Sequence, residues 1–285
     1  MIQPIFCTQG LKMGCSSRYW CVVAVVLMLI GCGAEPQKEE IKEVVVETDK
    51  TADEQLKRPE TKFSETPSFA QIADVKEKKA QFFNYLLTYI ASENSYITAE
   101  RRQVVTLQQA LRVGQLSEQQ SVVLQGLAKR YKLSEALSIQ EQLEQLMVRV
   151  DIVPPSLALA QSANESAWGT SRFATQGNNY FGQWCFNSGC GIVPQSRPEG
   201  EIYEVARFED AGGSVRAYFL NLNTHGAYRQ LRAIRAEARQ GNQVITGVDL
   251  AVGLRSYSAR GEQYVEEIQK MIIFNKLDIL DKNDF

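Results

Sequence analysis

Residues Pro154 to Ser171 constrain this chain more than any other stretch. Pro154-Pro155 cannot extend an upstream helix, so a new element has to begin there. Ser156 is a good N-cap and Gly169 a good C-terminal stop. Between them Leu157, Leu159, Ala160, Ala163 and Ala167 predict one helix of mainly small residues, with a single carboxylate, Glu165, in its last turn. Gln161, Glu165 and Trp168 are spaced i, i+4 and i+7, so they are expected on one face. A carboxyl beside an indole, at the negative end of a helix dipole, holds its proton more tightly than a solvated one. Such a group can serve as a general acid near neutral pH.

The N-terminal segment has a different character. Lys12 and Arg18 precede an apolar run, Cys21 to Ile30, too short for a confident spanning helix and typical of a secretory h-region. Leu29-Ile30-Gly31-Cys32 resembles a bacterial lipobox, so residues 1–31 are expected to be a signal peptide and Cys32 the lipidated residue. Gly33, in place of Asp, resembles the sorting pattern that sends such proteins to the periplasmic face of the outer membrane. Residues 33–68 carry many charges, three prolines and few large apolar side chains, which reads as a flexible tether.

Six cysteines then reduce to two. Cys7, Cys15 and Cys21 leave with the signal and Cys32 carries lipid, so Cys185 and Cys190 remain, with four residues between them, one a glycine. In an oxidising compartment a disulfide is the default. A metal site is the alternative, but two thiols with no nearby histidine make a poor zinc shell. No cofactor and no metal is expected. The net charge of −2 over 285 residues argues against nucleic acid as a partner.

From Phe69 onward the spacing predicts helices. Phe82, Phe83, Leu86, Leu87 and Ile90 form one apolar stripe, and Val104 to Val113 forms a second run. Ser117 with Gln120 is a capping box that opens a third helix, and a fourth covers 138–148. Residues 192–208 hold Pro, Gly and the β-prone pieces Ile202-Tyr203 and Val205 to Phe208, which predict a small hairpin. Asp210 caps the helix through Leu222, Thr246 with Asp249 opens a short one, and Tyr264 to Ile272 forms the stripe of the last. His225, in a helix-end loop with no nucleophile partner, reads as a surface residue. The arginines at 207, 216, 229, 232, 235 and 239 read as a solvated basic face, as do Lys76, Lys78 and Lys79.

Four pieces in order carry a family resemblance. Ala160 to Ser171 resembles the "A-x-x-E-S-x-W-G-x-S" signature of the glucosaminidase family, and Asn179-Tyr180-Phe181-Gly182 its "N-x-F-G" loop. Ala206-Arg207-Phe208 with the following helix is similar to its "a-x-F-r" strand. Ser256-Tyr257-Ser258 and Gln263-Tyr264-Val265 are similar to its late tyrosine motif, although Arg260-Gly261-Glu262 stands where that motif has Asp-Pro. The resemblance implies a mainly α, lysozyme-like fold of the α+β kind, with a helical lobe and a small β-hairpin lobe across a substrate cleft. Residues 69–150 would be a helical support, 151–278 the catalytic region and 279–285 a tail.

The resemblance also implies cleavage of the β-1,4 bond after N-acetylglucosamine in peptidoglycan, with Glu165 as general acid. Tyr257 would orient the reacting sugar; Gln161, Trp168, Asn179, Phe181 and Tyr264 would bind substrate, with pure core packing the alternative for Trp168. An inverting mechanism needs a second carboxylate about 6.5–9.5 Å away to activate water. The candidates, in order, are Glu201, Glu199 and Glu204, each of which also reads as a solvated hairpin charge. The substrate's own acetamido group is the alternative. The competing functions are a lytic transglycosylase and a non-catalytic wall-binding lipoprotein. The partners implied are glycan strands and, through the lipid anchor, a membrane; a monomer is the expected state.

Overall fold

The computed structural model describes residues 66–282. The expected signal peptide, Cys32, most of the tether and the last three residues lie outside the described residues. Twelve elements matter for the site and its support: helices α1 (Val75–Val113), α2 (Glu118–Arg130), α3 (Ile139–Arg149), α4 (Pro155–Glu165) and α5 (Arg172–Gly177) come first. Strands β1 (Trp184–Cys185), β2 (Gly191–Ile192) and β3 (Glu204–Ala206) follow, then helices α6 (Ala211–Thr224) and α7 (Arg229–Gln240). Two further helices, α8 (Gly247–Ala251) and α9 (Glu262–Phe274), complete the order. The protein is mainly α with one small antiparallel sheet, as the sequence resemblance implies.

Most helix starts follow local chemistry. Ser117 and Ser138 each accept from the third backbone N–H of their helix, and Gln120 and Glu141 return the bond to the cap N–H, forming two full capping boxes. Asp210 caps α6 through Gly213 N–H and Thr246 caps α8 through Asp249 N–H. α1 is one continuous helix of 39 residues, where the sequence predicts two runs. The polar residues that interrupt its apolar stripe are buried and paired instead of marking a break. Asn94 donates to Val153 O at 2.8 Å and accepts from Val153 N at 3.0 Å, which ties α1 to the segment before α4. Glu100 accepts from the Tyr131 hydroxyl at 2.6 Å and lies 3.2 Å from Arg130.

Helix α4 is the centre of the fold. Every residue from Pro155 to Ala163 is buried, against α1, α8, α9 and the C-terminal turn. Its alanines and serines let neighbouring backbones approach, while Leu157 and Leu159, fully buried, contribute about 1.5–3 kcal/mol each. Pro154 takes the N-cap position in place of Ser156. Ser156 turns inward: its hydroxyl donates to Asp281 at 2.6 Å, and Asp281 also accepts from Ser156 N and Gly247 N. The expected tail from residue 279 therefore belongs to the fold as far as Lys282. The core is continuous across the predicted boundary at residue 150, because α1 packs on α4 and α6.

A polar hub stands just ahead of α4. Asp151 lies 2.8 Å from Arg239, 3.3 Å from Arg101 and 3.9 Å from Arg235. Arg235 is fully buried and Arg232 nearly so, which corrects the solvated reading of that basic stretch. Arg232 donates to Leu222 O and His225 O, Arg235 to Asp151 O and Ile152 O, so both serve to close loop carbonyls. Burial lowers the Arg235 pKa to about 10, which leaves it charged at neutral pH. Burial also raises the Asp151 pKa, but the surrounding arginines outweigh it and hold the carboxyl below its usual range.

The β lobe differs from the predicted hairpin. It is a three-stranded sheet in the order β1-β3-β2, and β1 and β2 flank the cysteine loop. Ile202-Tyr203 and Arg207-Phe208 stay outside the strands. Cys185 and Cys190 are joined by a disulfide. Beneath it Glu204 accepts from Gly189 N at 3.0 Å and Gly191 N at 2.7 Å. Glu204 is thus buried and not a solvated charge, and those two N–H groups hold its pKa down.

Candidate active site

The site is built where α4 ends. Glu165 is its last residue, half-buried, and Ser166 is the C-cap. The next three residues, Ala167, Trp168 and Gly169, have φ of 50°, 59° and 74°. A left-handed run is costly for side chains with a Cβ, and local bonds hold it: Trp168 N donates to Ala163 O at 2.9 Å and Gly169 N to the Ser166 hydroxyl at 2.8 Å. A Cβ on Gly169 would meet the Phe69 ring at 2.5 Å, so only glycine fits. This turn throws Trp168 off the helix face predicted for it. The indole packs on Phe82 and Phe83 of α1, with Lys79 Nζ 4.6 Å from its centroid. Its role is packing, and Lys79 covers it instead of facing solvent alone.

Behind the acid runs a chain of hydrogen bonds of fixed direction. The Tyr264 hydroxyl, on α9, donates to Glu165 Oε1 at 2.7 Å. Gln161 Nε2 donates to the Tyr264 hydroxyl at 2.9 Å, and the Tyr218 hydroxyl, on α6, donates to Gln161 Oε1. Asn164 also approaches Oε1, at 3.5 Å. A proton carried by this carboxyl therefore sits on the other oxygen, Oε2. Burial raises the Glu165 pKa, and it outweighs the opposing bonds from Tyr264 and Asn164 and the field of Arg260. Burial, followed by the nearby Glu165, also pushes the Tyr264 hydroxyl far up, so it stays a donor.

Oε2 faces Gly182. A Cβ on that glycine, whose φ is +64°, would lie 3.7 Å from it. Asn179 fixes this approach with all four of its hydrogen-bonding positions. Its amide donates to Gln183 O and Ala206 O, and its carbonyl accepts from Phe181 N and Gln183 N. The Phe181 ring stacks on Tyr218 at 4.0 Å, and its carbonyl accepts from the Tyr257 hydroxyl at 2.8 Å. Tyr257 in turn stacks on Tyr264 at 5.4 Å.

Most of the predicted site residues thus gather around Glu165. Gln161, Asn179, Phe181 and Tyr264 are buried at 0–1% exposure and are hydrogen-bonded or stacked within the protein, around the acid and its loop. Tyr257 is half-buried, with its hydroxyl committed to a backbone carbonyl. Glu199 and Glu201 are exposed on the loop before β3, and Glu204 is spent on the cysteine loop. None of the three is hydrogen-bonded to the Glu165 cluster.

The sequence reading missed Tyr218, Gly182 and an Arg260–Glu267 pair 2.6 Å apart. Tyr218 was visible only as one member of an apolar stripe. Arg260 lies at the departure from the family motif, 5.5 Å from the Tyr264 ring centroid. Gly261, at φ +53°, makes the turn there and precedes α9. Among the described residues the only cluster with metal-ligand spacing is Cys185, Cys190 and Glu204. Its thiols are consumed in the disulfide, which is no metal site.

A family model described as mannosyl-glycoprotein endo-beta-N-acetylglucosaminidase matches residues 140–277. The chain is 34% identical over 212 residues to Protein bax of Escherichia coli (strain K12), covering 74% of this chain and 74% of that protein. No solved structure matches it.

Proposed function

The chain belongs to the glucosaminidase family, and from that premise we propose that it is a peptidoglycan hydrolase, an endo-β-N-acetylglucosaminidase cutting the β-1,4 bond after N-acetylglucosamine. The observation that carries this reading is the orientation of Glu165. Tyr264 occupies Oε1, so the acidic proton is left on Oε2, which faces the Gly182 loop. Partial burial favours the protonated form until a glycosidic oxygen arrives to take the proton. Tyr264 then stabilises the carboxylate left behind, since its donor bond strengthens as charge develops on Glu165.

Glu201 and Glu199 are the carboxylates free to act as base if the loop before β3 moves over the acid. The commitment of Glu204 elsewhere favours the alternative in which the substrate's acetamido group takes that part. The signal peptide, lipidation of Cys32 and location at the periplasmic face of the outer membrane are supported by the N-terminal sequence alone.

Digestion of purified sacculi, read by mass spectrometry, tests the reading. The wild type is expected to leave reducing N-acetylglucosamine ends. Anhydro-muramyl ends would identify a transglycosylase, and no products would leave a wall-binding protein. Glu165→Gln is expected to lower turnover by about 10³-fold or more. Its melting temperature at pH 7 should be equal or higher. A raised folded pKa gives stability that is complete below the ordinary carboxylate range and lost as pH rises through the folded value. The neutral amide escapes that loss. Undiminished hydrolysis by this variant would remove Glu165 from the mechanism.

A further inference from the structure

The β lobe exposes aromatic surface beside the acid that no role so far uses. Trp184 is 56% exposed and Phe186 64% exposed, although a buried position is the ordinary one for such rings. Trp184 stacks on Tyr203 with centroids 4.4 Å apart and planes 9° from parallel. The register explains the pair: Trp184 lies opposite Val205, so Tyr203, two residues before Val205, is its diagonal neighbour on the same face. Val205 and Ile192 on that face are buried, which anchors the sheet and leaves Trp184 at its edge strand.

Trp184 is two positions along from Gly182, the residue against Glu165 Oε2, so their Cα atoms lie within about 7 Å. The platform is also held rigid by bonds out of proportion to seven strand residues. The disulfide begins at Cys185, Glu204 ties Gly189 inside its loop and Gly191 just beyond it, and Arg197 donates to Tyr203 O at 3.1 Å. Rigid aromatic surface costs little ordering entropy when a ligand binds. A pyranose ring offers an apolar C–H face with polar edges, which suits a flat indole open to water on one side.

We propose that Trp184, backed by Tyr203, is a sugar-stacking platform that binds a hexopyranose ring of the glycan strand next to the bond protonated by Glu165. The proposal rests on the glycosidase reading and adds to it the group that holds substrate. The buried residues expected to bind the sugar are replaced in that role by an exposed one.

The test uses the full chain carrying Glu165→Gln, titrated by calorimetry with peptide-free glycan strands solubilised from sacculi. Adding Trp184→Ala should weaken binding about 10–30-fold, and Trp184→Phe should restore most of it. Phe274→Ala, which removes an exposed ring ten residues along α9 from Tyr264, should leave affinity unchanged. In the active chain Trp184→Ala should raise KM by a similar factor with kcat within about threefold, and the exposed position should leave the melting temperature unaltered.

Affinity within twofold of the parent after Trp184→Ala, or no binding by the parent itself, would overturn the platform. Hydrolysis by the wild type with an unaffected Trp184→Ala would sink the platform and spare the glycosidase. Binding through Trp184 with no hydrolysis by the wild type would do the reverse.

Discussion

The two ends of α4 carry two carboxylates with opposite fates. Asp151 precedes the helix and Glu165 closes it, and both are withdrawn from water. Asp151 is surrounded by three guanidinium groups within 4 Å and is held ionised. Glu165 meets neutral donors on one oxygen and a glycine on the other, while Arg260, whose field acts on it, is engaged by Glu267, and its pKa rises. Residue type does not separate a carboxyl held ionised from one that holds its proton here. The count and charge of the partners does.

That contrast can be broken at either end. The largest effect is expected from Asp151→Ala, which leaves Arg235 charged and buried without its partner and should cost about 3–5 kcal/mol by chemical denaturation. Wild-type stability should also fall in acid. A depressed folded pKa gives stability present above the ordinary aspartate value and lost as pH drops through the folded one, and the variant should lack that part of the acid slope. A flat comparison would mean the arginines do not depend on this carboxylate.

Tyr264→Phe comes next. It removes the donor to Oε1, so kcat should fall about 10–100-fold while the protein stays folded. Because that donor favours the ionised acid, the basic limb of the pH–rate profile should move to higher pH. A limb that moves down would reverse the assigned direction of the bond. The smallest effect is expected from Arg260→Ala. It too favours ionised Glu165, but from an exposed position, so the basic limb should rise slightly, and less at high salt. An identical limb at low salt would show that Arg260 has no part in tuning the acid.

Much of this was legible in the sequence because it is local. The caps at Ser117, Ser138, Asp210 and Thr246 depend on contacts three residues away, and those helices start where the pattern places them. The small-residue helix and its terminal acid were legible for the same reason. What failed depends on distant partners. Asn94 and Glu100 looked like a break in α1, because Val153 and Tyr131 that satisfy them are 59 and 31 residues away. A motif also does not show burial, and Gln161, Asn179 and Tyr264 lie within the protein, around the acid and its loop. Trp168 left its helix face because three left-handed residues follow each other, a state no periodicity encodes.

The directed bonds behind Glu165 carry a last consequence for turnover. Every link from Tyr218 through Gln161 to Tyr264 points its hydrogen toward the carboxylate, and an amide sits in the middle. An amide N–H does not hand on its proton, and the flanking tyrosines keep theirs. The interior therefore orients the acid but cannot recharge it. Under the proposed function, a proton given up by Glu165 has to be replaced from a water that reaches Oε2 on the side of Gly182, whether that water is the attacking one or a bulk one. On that reading water has to be admitted beside Gly182 once in every cycle, so a ligand that sealed this side would stall turnover with Glu165 ionised.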